Sequence, residues 1–298
     1  MSLTKKQFSI LTLLESSRMP LSQREISNDT GISLGSVNKN LAELSKLSYI
    51  EDGQITELGL SALEPYRVKR AVFMAAGFGS RMVPITLNTP KPLVRIKGRR
   101  IIDSLLDAVV SAGIKEIYIV RGYLSEQFDQ LLKKYPQITF IDNPLYNETN
   151  NISSAYCARH LIANSYVFEA DLVLYNPKMI TKYQYETNYL GVYVDRTEDW
   201  CFTTDTNLTI KKMGIGGIDC YHMYGVSYWT KEDGKKLSKH IEDVYNNLPG
   251  GKEKYWDQVV FDCYPNEYKI RVRPCSFSDI VEIDTFNELK KIDPSYAM

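Results

Sequence analysis

The 298-residue chain has no net charge, with 36 Lys and Arg against 36 Asp and Glu. That balance excludes a globally basic coat for nucleic acid, while saying nothing of local patches. Long apolar runs are missing as well. The stretch around residues 71–79 is far too short to span a bilayer, so no membrane partner is expected. The N-terminal MSLTKKQFSILTLLESS spaces its apolar residues as a helix does and reads as a helix, not a signal peptide. Histidine and cysteine are scarce, three and five, and Cys157, Cys201, Cys220, Cys263 and Cys275 form no close pair. No zinc spacing results, and buried reduced thiols in a cytoplasmic protein are expected. Internal repeats and low-complexity tracts are absent too. What is present, 44% hydrophobic and 24% charged residues, suits a globular chain of about two domains.

Residues 1–67 read as helical with one small hairpin. Ile10, Leu11 and Leu14 recur at helical spacing, and Ser22-Gln23-Arg24-Glu25 fits a capping box at a helix start. Gly31 breaks the chain before Leu34, Val37, Leu41, Leu44 and Leu47, one apolar face of a third helix. Asp52-Gly53 then predicts a hairpin turn. This order resembles the winged helix-turn-helix domains of bacterial regulators. The resemblance implies a recognition helix over 33–47 presenting Ser36, Asn38, Lys39 and Asn40 outward. Seven Lys and Arg against eight Asp and Glu give no basic footprint, so DNA binding and a structural or dimerising role both stay open for residues 1–67. The boundary is expected near 65–69, leaving 68–298 as a second domain.

There the period changes. Short apolar strands at 71–75, 116–120, 138–141 and 166–170 alternate with helical segments near 101–112, 125–134 and 151–163. The alternation predicts an α/β fold with a mixed, mostly parallel sheet and helices on both faces. Beyond Gly191 more strands follow (201–204, 208–213, 220–229), then helices near 231–246 and 254–263.

One segment, FMAAGFGSRMVPITLNTPKPL over 73–93, leaves a predicted strand with Gly77 and Gly79, whose bare backbones let a phosphate approach closely. From 77 to 100 six cations (Arg81, Lys91, Arg95, Lys97, Arg99, Arg100) meet no acid. Carboxylates close two other strands, at Glu169-Ala170-Asp171 and Glu282-Ile283-Asp284, where open α/β sheets gather ligands. They could equally cap turns. The tryptophans lie beside acids: Glu198-Asp199-Trp200 and Trp256-Asp257, with Tyr224-Gly-Val-Ser-Tyr-Trp229 between them. Aromatic faces with carboxylates suit a quaternary ammonium, although core tryptophans beside surface acids would give the same pattern.

The string over 75–93 resembles the A-A-G-x-G-x-R-x-x-P-x-T-x-x-x-P-K-x-L motif of the nucleotidyltransferase superfamily, which implies a Rossmann-like domain. It is neither a Walker A loop nor a dinucleotide fingerprint. From about residue 70 onward the chain is similar to bacterial CTP:phosphocholine cytidylyltransferases of the choline-decoration type. The similarity rests on 122–129, 163–167, 198–200, 224–229, 255–257 and 282–284. It departs at Met74, at Glu169 (aspartate is usual) and in the added N-terminal domain.

The resemblance implies CMP transfer from CTP to phosphocholine, giving CDP-choline and pyrophosphate with Mg²⁺. Ala75, Ala76, Gly77, Phe78, Gly79, Ser80 and Arg81 would hold the nucleotide with Asn151 and Ser154. Arg81, Lys91, Asp171 and Asp284 would carry catalysis, the two aspartates as metal ligands. Trp200, Tyr255 and Trp256 would enclose the trimethylammonium, balanced by Asp257 and Glu282. Phosphoethanolamine or a sugar 1-phosphate is the rival substrate. A transcription regulator sensing a nucleotide or choline metabolite is the rival class. Cytosine versus uracil and a homodimer stay open.

Overall fold

The computed structural model describes residues 2–17 and 19–297. It divides into two compact units, residues 1–67 with Tyr183–Tyr185, and 68–182 with 186–298.

The first unit begins with α1 (Lys5–Ser16), α2 (Gln23–Thr30) and α3 (Leu34–Lys46). A hairpin of β1 (Ile50–Glu51) and β2 (Gln54–Ile55) follows, then α4 (Glu57–Leu63). Ser22 and Glu25 form the expected capping box, and Thr4 with Gln7 forms another on α1. The core gathers Ile10, Leu11, Leu14, Ile26, Val37 and Leu44. One expectation for α3 needs correcting, the outward placement of Asn40. Asn40 is buried, its Nδ2 donating to the Ser36 carbonyl at 2.7 Å, and the Ser36 hydroxyl accepts from Lys6 Nζ at 3.0 Å. Helical periodicity places residue 40 on the face of Val37 and Leu44, toward the core.

The second unit runs β3 (Arg70–Ala75), a small hairpin of β4 (Arg95–Ile96) and β5 (Arg99–Arg100), α5 (Asp103–Ser111), β6 (Glu116–Arg121) and β7 (Ile138–Asp142). It continues with α6 (Ile152–Ala158), β8 (Ser165–Glu169), β9 (Leu172–Leu174), β10 (Asn188–Thr204) and β11 (Ile210–Trp229). The last elements are α7 (Lys231–Asn247), α8 (Trp256–Gln258), β12 (Arg271–Cys275), β13 (Ile280–Glu282) and α9 (Phe286–Ile292). Seven strands make one sheet in the order β12-β10-β11-β8-β3-β6-β7. β7, β6, β3 and β8 are parallel, β11 is antiparallel to β8 and β10, and β12 is parallel to β10. Ala71 and Phe73 of β3 pack in one apolar cluster and Val72 and Met74 in another, because successive strand residues point to opposite faces. A mixed, mostly parallel sheet covered on both faces results.

Three elements differ from expectation. Residues 125–133 wind as a 3₁₀ helix: Phe128 and Leu131, three apart, are buried, while Leu132 is exposed. The segment near 254–263 is the short α8 followed by a π-helical turn over Val259–Cys263. The strands beyond Gly191 merge into two long ones. Cys201 pairs with both Gly214 and His222, so β11 curls around the end of β10, and Gly216 supplies a turn at φ +73°. That curl also brings the free thiols of Cys201 and Cys220 together beside Gly217. No helix among the described residues is long and apolar enough to cross a membrane.

Candidate active site

A cavity of about 720 Å³ opens at the carboxyl ends of β3 and β8, lined by Ala75, Ala76, Gly77, Gly79, Ser80, Arg81, Lys91, Asn151, Ser154, Glu169, Asp171, Trp200, Tyr255, Asp257, Glu282 and Asp284. Most residues singled out from the sequence therefore meet around one space. Two do not. Phe78 sets its ring edge-on to Tyr123 at 4.7 Å and lies outside the lining. Trp256 is buried, stacked on Tyr189 at 6.3 Å and edge-on to Trp229 at 6.0 Å. Its backbone N–H donates to Asn151 Oδ1 at 2.8 Å, which anchors the start of α8. Adjacent helical residues diverge by about 100°, so Trp256 and Asp257 cannot both face the cavity. The third face of the expected aromatic enclosure is thus absent, leaving Trp200 and Tyr255, their ring centroids 5.8 Å apart.

The glycine loop is shaped by Lys91. Gly79 holds φ +69°, and a Cβ there would stand 3.1 Å from the Lys91 Cβ and 3.2 Å from the Thr86 methyl. A Cβ at Gly77 would meet open space, which leaves its backbone accessible from the cavity. Pro90 and Pro92 flank Lys91 in a single 3₁₀ turn and direct its side chain inward.

Lys91 is buried, and its ammonium donates to Asp171 Oδ2 at 2.7 Å and to Asp284 Oδ1 at 2.9 Å. Burial works against its charge, but the two carboxylates outweigh burial and hold its pKa above the ordinary lysine value. The exposed Arg81 guanidinium donates to the same Asp284 oxygen at 2.7 Å. Burial and the neighbouring Asp171 push the carboxyl of Glu169 well above the usual range. Burial with Asp171 and Asp284 does the same to Glu282. Burial raises Asp257 to about 7, against a lowering hydrogen bond from the Tyr189 hydroxyl at 2.6 Å.

Carboxylate oxygens of Glu169, Asp171 and Glu282 lie within 4.8 Å of one another. Asp171 Oδ1 is buried with no hydrogen-bond partner. A hard cation with oxygen ligands fits such a donor set. This grouping differs from the expected pair of Asp171 with Asp284: Asp284 is outside it, its Oδ1 accepting from both Lys91 and Arg81. Glu169, read in the sequence as a departure from the usual aspartate and given no metal role, joins that set. Its extra methylene fits because Gly225 stands opposite on β11, where a Cβ would come within 2.4 Å of Glu169 Oε2. Asn150, Asp199, Met213 and Met223 also line the cavity. Asp199 belongs to the Glu198-Asp199-Trp200 motif, whereas no motif marks the two methionines, which the curl of β11 brings there.

The nucleotidyl transferase family model matches residues 70–197. The chain is 36% identical over 230 residues to the 2-aminoethylphosphonate cytidylyltransferase of Lancefieldella rimae, covering 76% of this chain and 93% of the relative. It is 31% identical over 227 residues to the choline-phosphate cytidylyltransferase of Streptococcus pneumoniae, covering 75% and 96%. The solved structure of a CTP:phosphocholine cytidylyltransferase from Streptococcus pneumoniae superposes with a TM-score of 0.71 at 30% identity, over 77% of this chain and 99% of that one. The chain belongs to the nucleotidyltransferase family. Within it, these relatives are cytidylyltransferases.

Proposed function

We propose that residues 68–298 transfer CMP from CTP to a small phosphate or phosphonate that ends in an ammonium group, releasing pyrophosphate. One observation carries this reading: a single cavity is lined both by the cations Arg81 and Lys91 and by Trp200, Tyr255 and Asp257. The first group suits a triphosphate, the second a small organic cation. An acceptor oxygen attacks the α-phosphorus in line, a new P–O bond forms, and the bond to the β-phosphate breaks. The acceptor oxygen is already ionised near neutral pH, so positioning and charge neutralisation supply the rate. Backbone amides around 77–80 and Arg81 hold the leaving phosphates, Asn151 and Ser154 face the nucleoside, and Lys91 moves from its aspartates to the reacting phosphates. Asp171, with Glu169 and Glu282, and Asp284 once Lys91 leaves it, are the residues that would hold Mg²⁺. Such an ion would offset the mutual repulsion of two anionic reactants.

Phosphocholine is the first reading, because two rings and the thioethers of Met213 and Met223 offer the faces a methylated cation needs. The withdrawal of Trp256 into the core favours a second, an unmethylated ammonium as in 2-aminoethylphosphonate, which asks for carboxylates more than for rings. Pyrophosphate release is measured with CTP or UTP against phosphocholine, phosphoethanolamine, 2-aminoethylphosphonate and glucose 1-phosphate. Turnover is expected with CTP and an ammonium-bearing acceptor. Preference for glucose 1-phosphate would overturn the reading.

For residues 1–67 we propose a winged helix-turn-helix domain with a structural or dimerising role. Leu34, Leu47 and Leu58 are exposed there, and burial of Asn40 removes one side chain from a DNA-facing set. No salt-sensitive shift of promoter DNA is expected in an electrophoretic assay at low salt, and a shift that fades with salt would restore the DNA-binding reading.

A further inference from the structure

Tyr224-Gly-Val-Ser-Tyr-Trp229 stood out in the sequence without a task, and the fold connects it to the cavity through buried groups. Trp229 Nε1 donates to Ser227 Oγ at 3.0 Å. Ser227 is the direct cross-strand neighbour of Tyr189 across β10 and β11, and Tyr189 donates to Asp257 Oδ1 at 2.6 Å. Trp229, Ser227 and Tyr189 are fully buried, and only Asp257, at the end of the chain, reaches the cavity lining. Trp229, Trp256, Phe202 and Phe261 surround the Tyr189 ring and fix where its hydroxyl points.

We propose that Tyr189 and Ser227 are positioning residues that aim Asp257 at the cation of the acceptor. The inference rests on the function proposed above. Both hydrogen bonds point the same way, Trp229 donating to Ser227 and Tyr189, beside Ser227, donating to the Asp257 carboxylate. Successive hydrogen bonds polarise one another in a dry interior, and a carboxylate held by a charge-assisted bond keeps one orientation. Asp257 needs that help, since a buried carboxylate without a partner would turn or take up a proton. The second carboxylate oxygen is left for the ligand.

Tyr189→Phe keeps the ring and removes the hydroxyl, and Ser227→Ala removes the preceding link. Kinetics are measured with phosphocholine and with 3,3-dimethylbutyl phosphate, which has carbon in place of the charged nitrogen. 2-Aminoethylphosphonate and propylphosphonate form the matching pair. Tyr189→Phe is expected to raise the KM of the ammonium acceptor about tenfold. The KM of the uncharged counterpart, the KM of CTP and kcat should stay where they were. Ser227→Ala should act in the same direction with a smaller effect, and it carries the test should Tyr189→Phe fail to fold. A KM that rises equally for the charged and uncharged acceptors would indicate lost packing and overturn the inference, as would no change. Wild-type enzyme that ignores the ammonium overturns the functional reading and this inference with it. Wild-type preference retained in both variants overturns this inference alone.

Discussion

A Lys91→Met variant is expected to lose about a thousandfold in kcat, the loss associated with removing one preorganised group that stabilises a developing anion. The expectation follows from the position of Nζ, 2.7 Å from Asp171 and 2.9 Å from Asp284, where it can pass to phosphate oxygens without leaving the cavity. The variant should also unfold more easily. Two carboxylates lose their shared cation, and an unpaired buried charge is costly. Because both aspartates keep some exposure, 22% and 16%, solvent lowers that cost to about 2 kcal/mol. MgCl₂ should return part of the lost stability, since a divalent cation can neutralise the same pair. Steady-state rates and urea unfolding with and without MgCl₂ check both parts. A kcat within tenfold of wild type would remove Lys91 from the reaction.

Trp200→Ala is expected to raise the acceptor KM about tenfold while leaving the KM of CTP unchanged. With Trp256 in the core, Trp200 and Tyr255 are the two rings on the cavity wall, so each carries more of the contact with a cation. A cation–π contact with one ring contributes about 0.5–2 kcal/mol, the upper end applying where water is excluded. Separate KM determinations for both substrates decide it. Equal rises in both would mean that Trp200 supports the wall in general, and no change would place the cation elsewhere.

Much of this architecture was legible in short patterns. The alternation of apolar strands and helices foretold a mostly parallel sheet, and the Ser22–Glu25 box marked the start of α2 where it occurs. Both depend on neighbours in sequence. Winding was less legible: residues 125–133 satisfy a helical pattern, yet burying Phe128 and Leu131 while exposing Leu132 selects the three-residue turn.

By itself the sequence determined which chemistry the second unit could hold. The paired glycines, the proline-flanked Lys91, the strand-end carboxylates and the aromatics beside acids are local facts, set by residue type and spacing. Only the tertiary structure decided how they are shared out. Lys91 lies between Asp171 and Asp284, so the oxygens left for a cation are those of Glu169, Asp171 and Glu282. Glu169 fits because β11 presents a glycine opposite it, and Trp256 turned inward because α8 can aim only one of two adjacent residues at the cavity. Those outcomes come from contacts between strands far apart in the chain, where packing and the pairing of buried charge select among side chains that look equivalent in sequence. The zero net charge shows the same division. The sequence supplied equal numbers of each sign, and the fold gathered Arg81 and Lys91 with Asp171, Asp284 and Asp257 around one cavity.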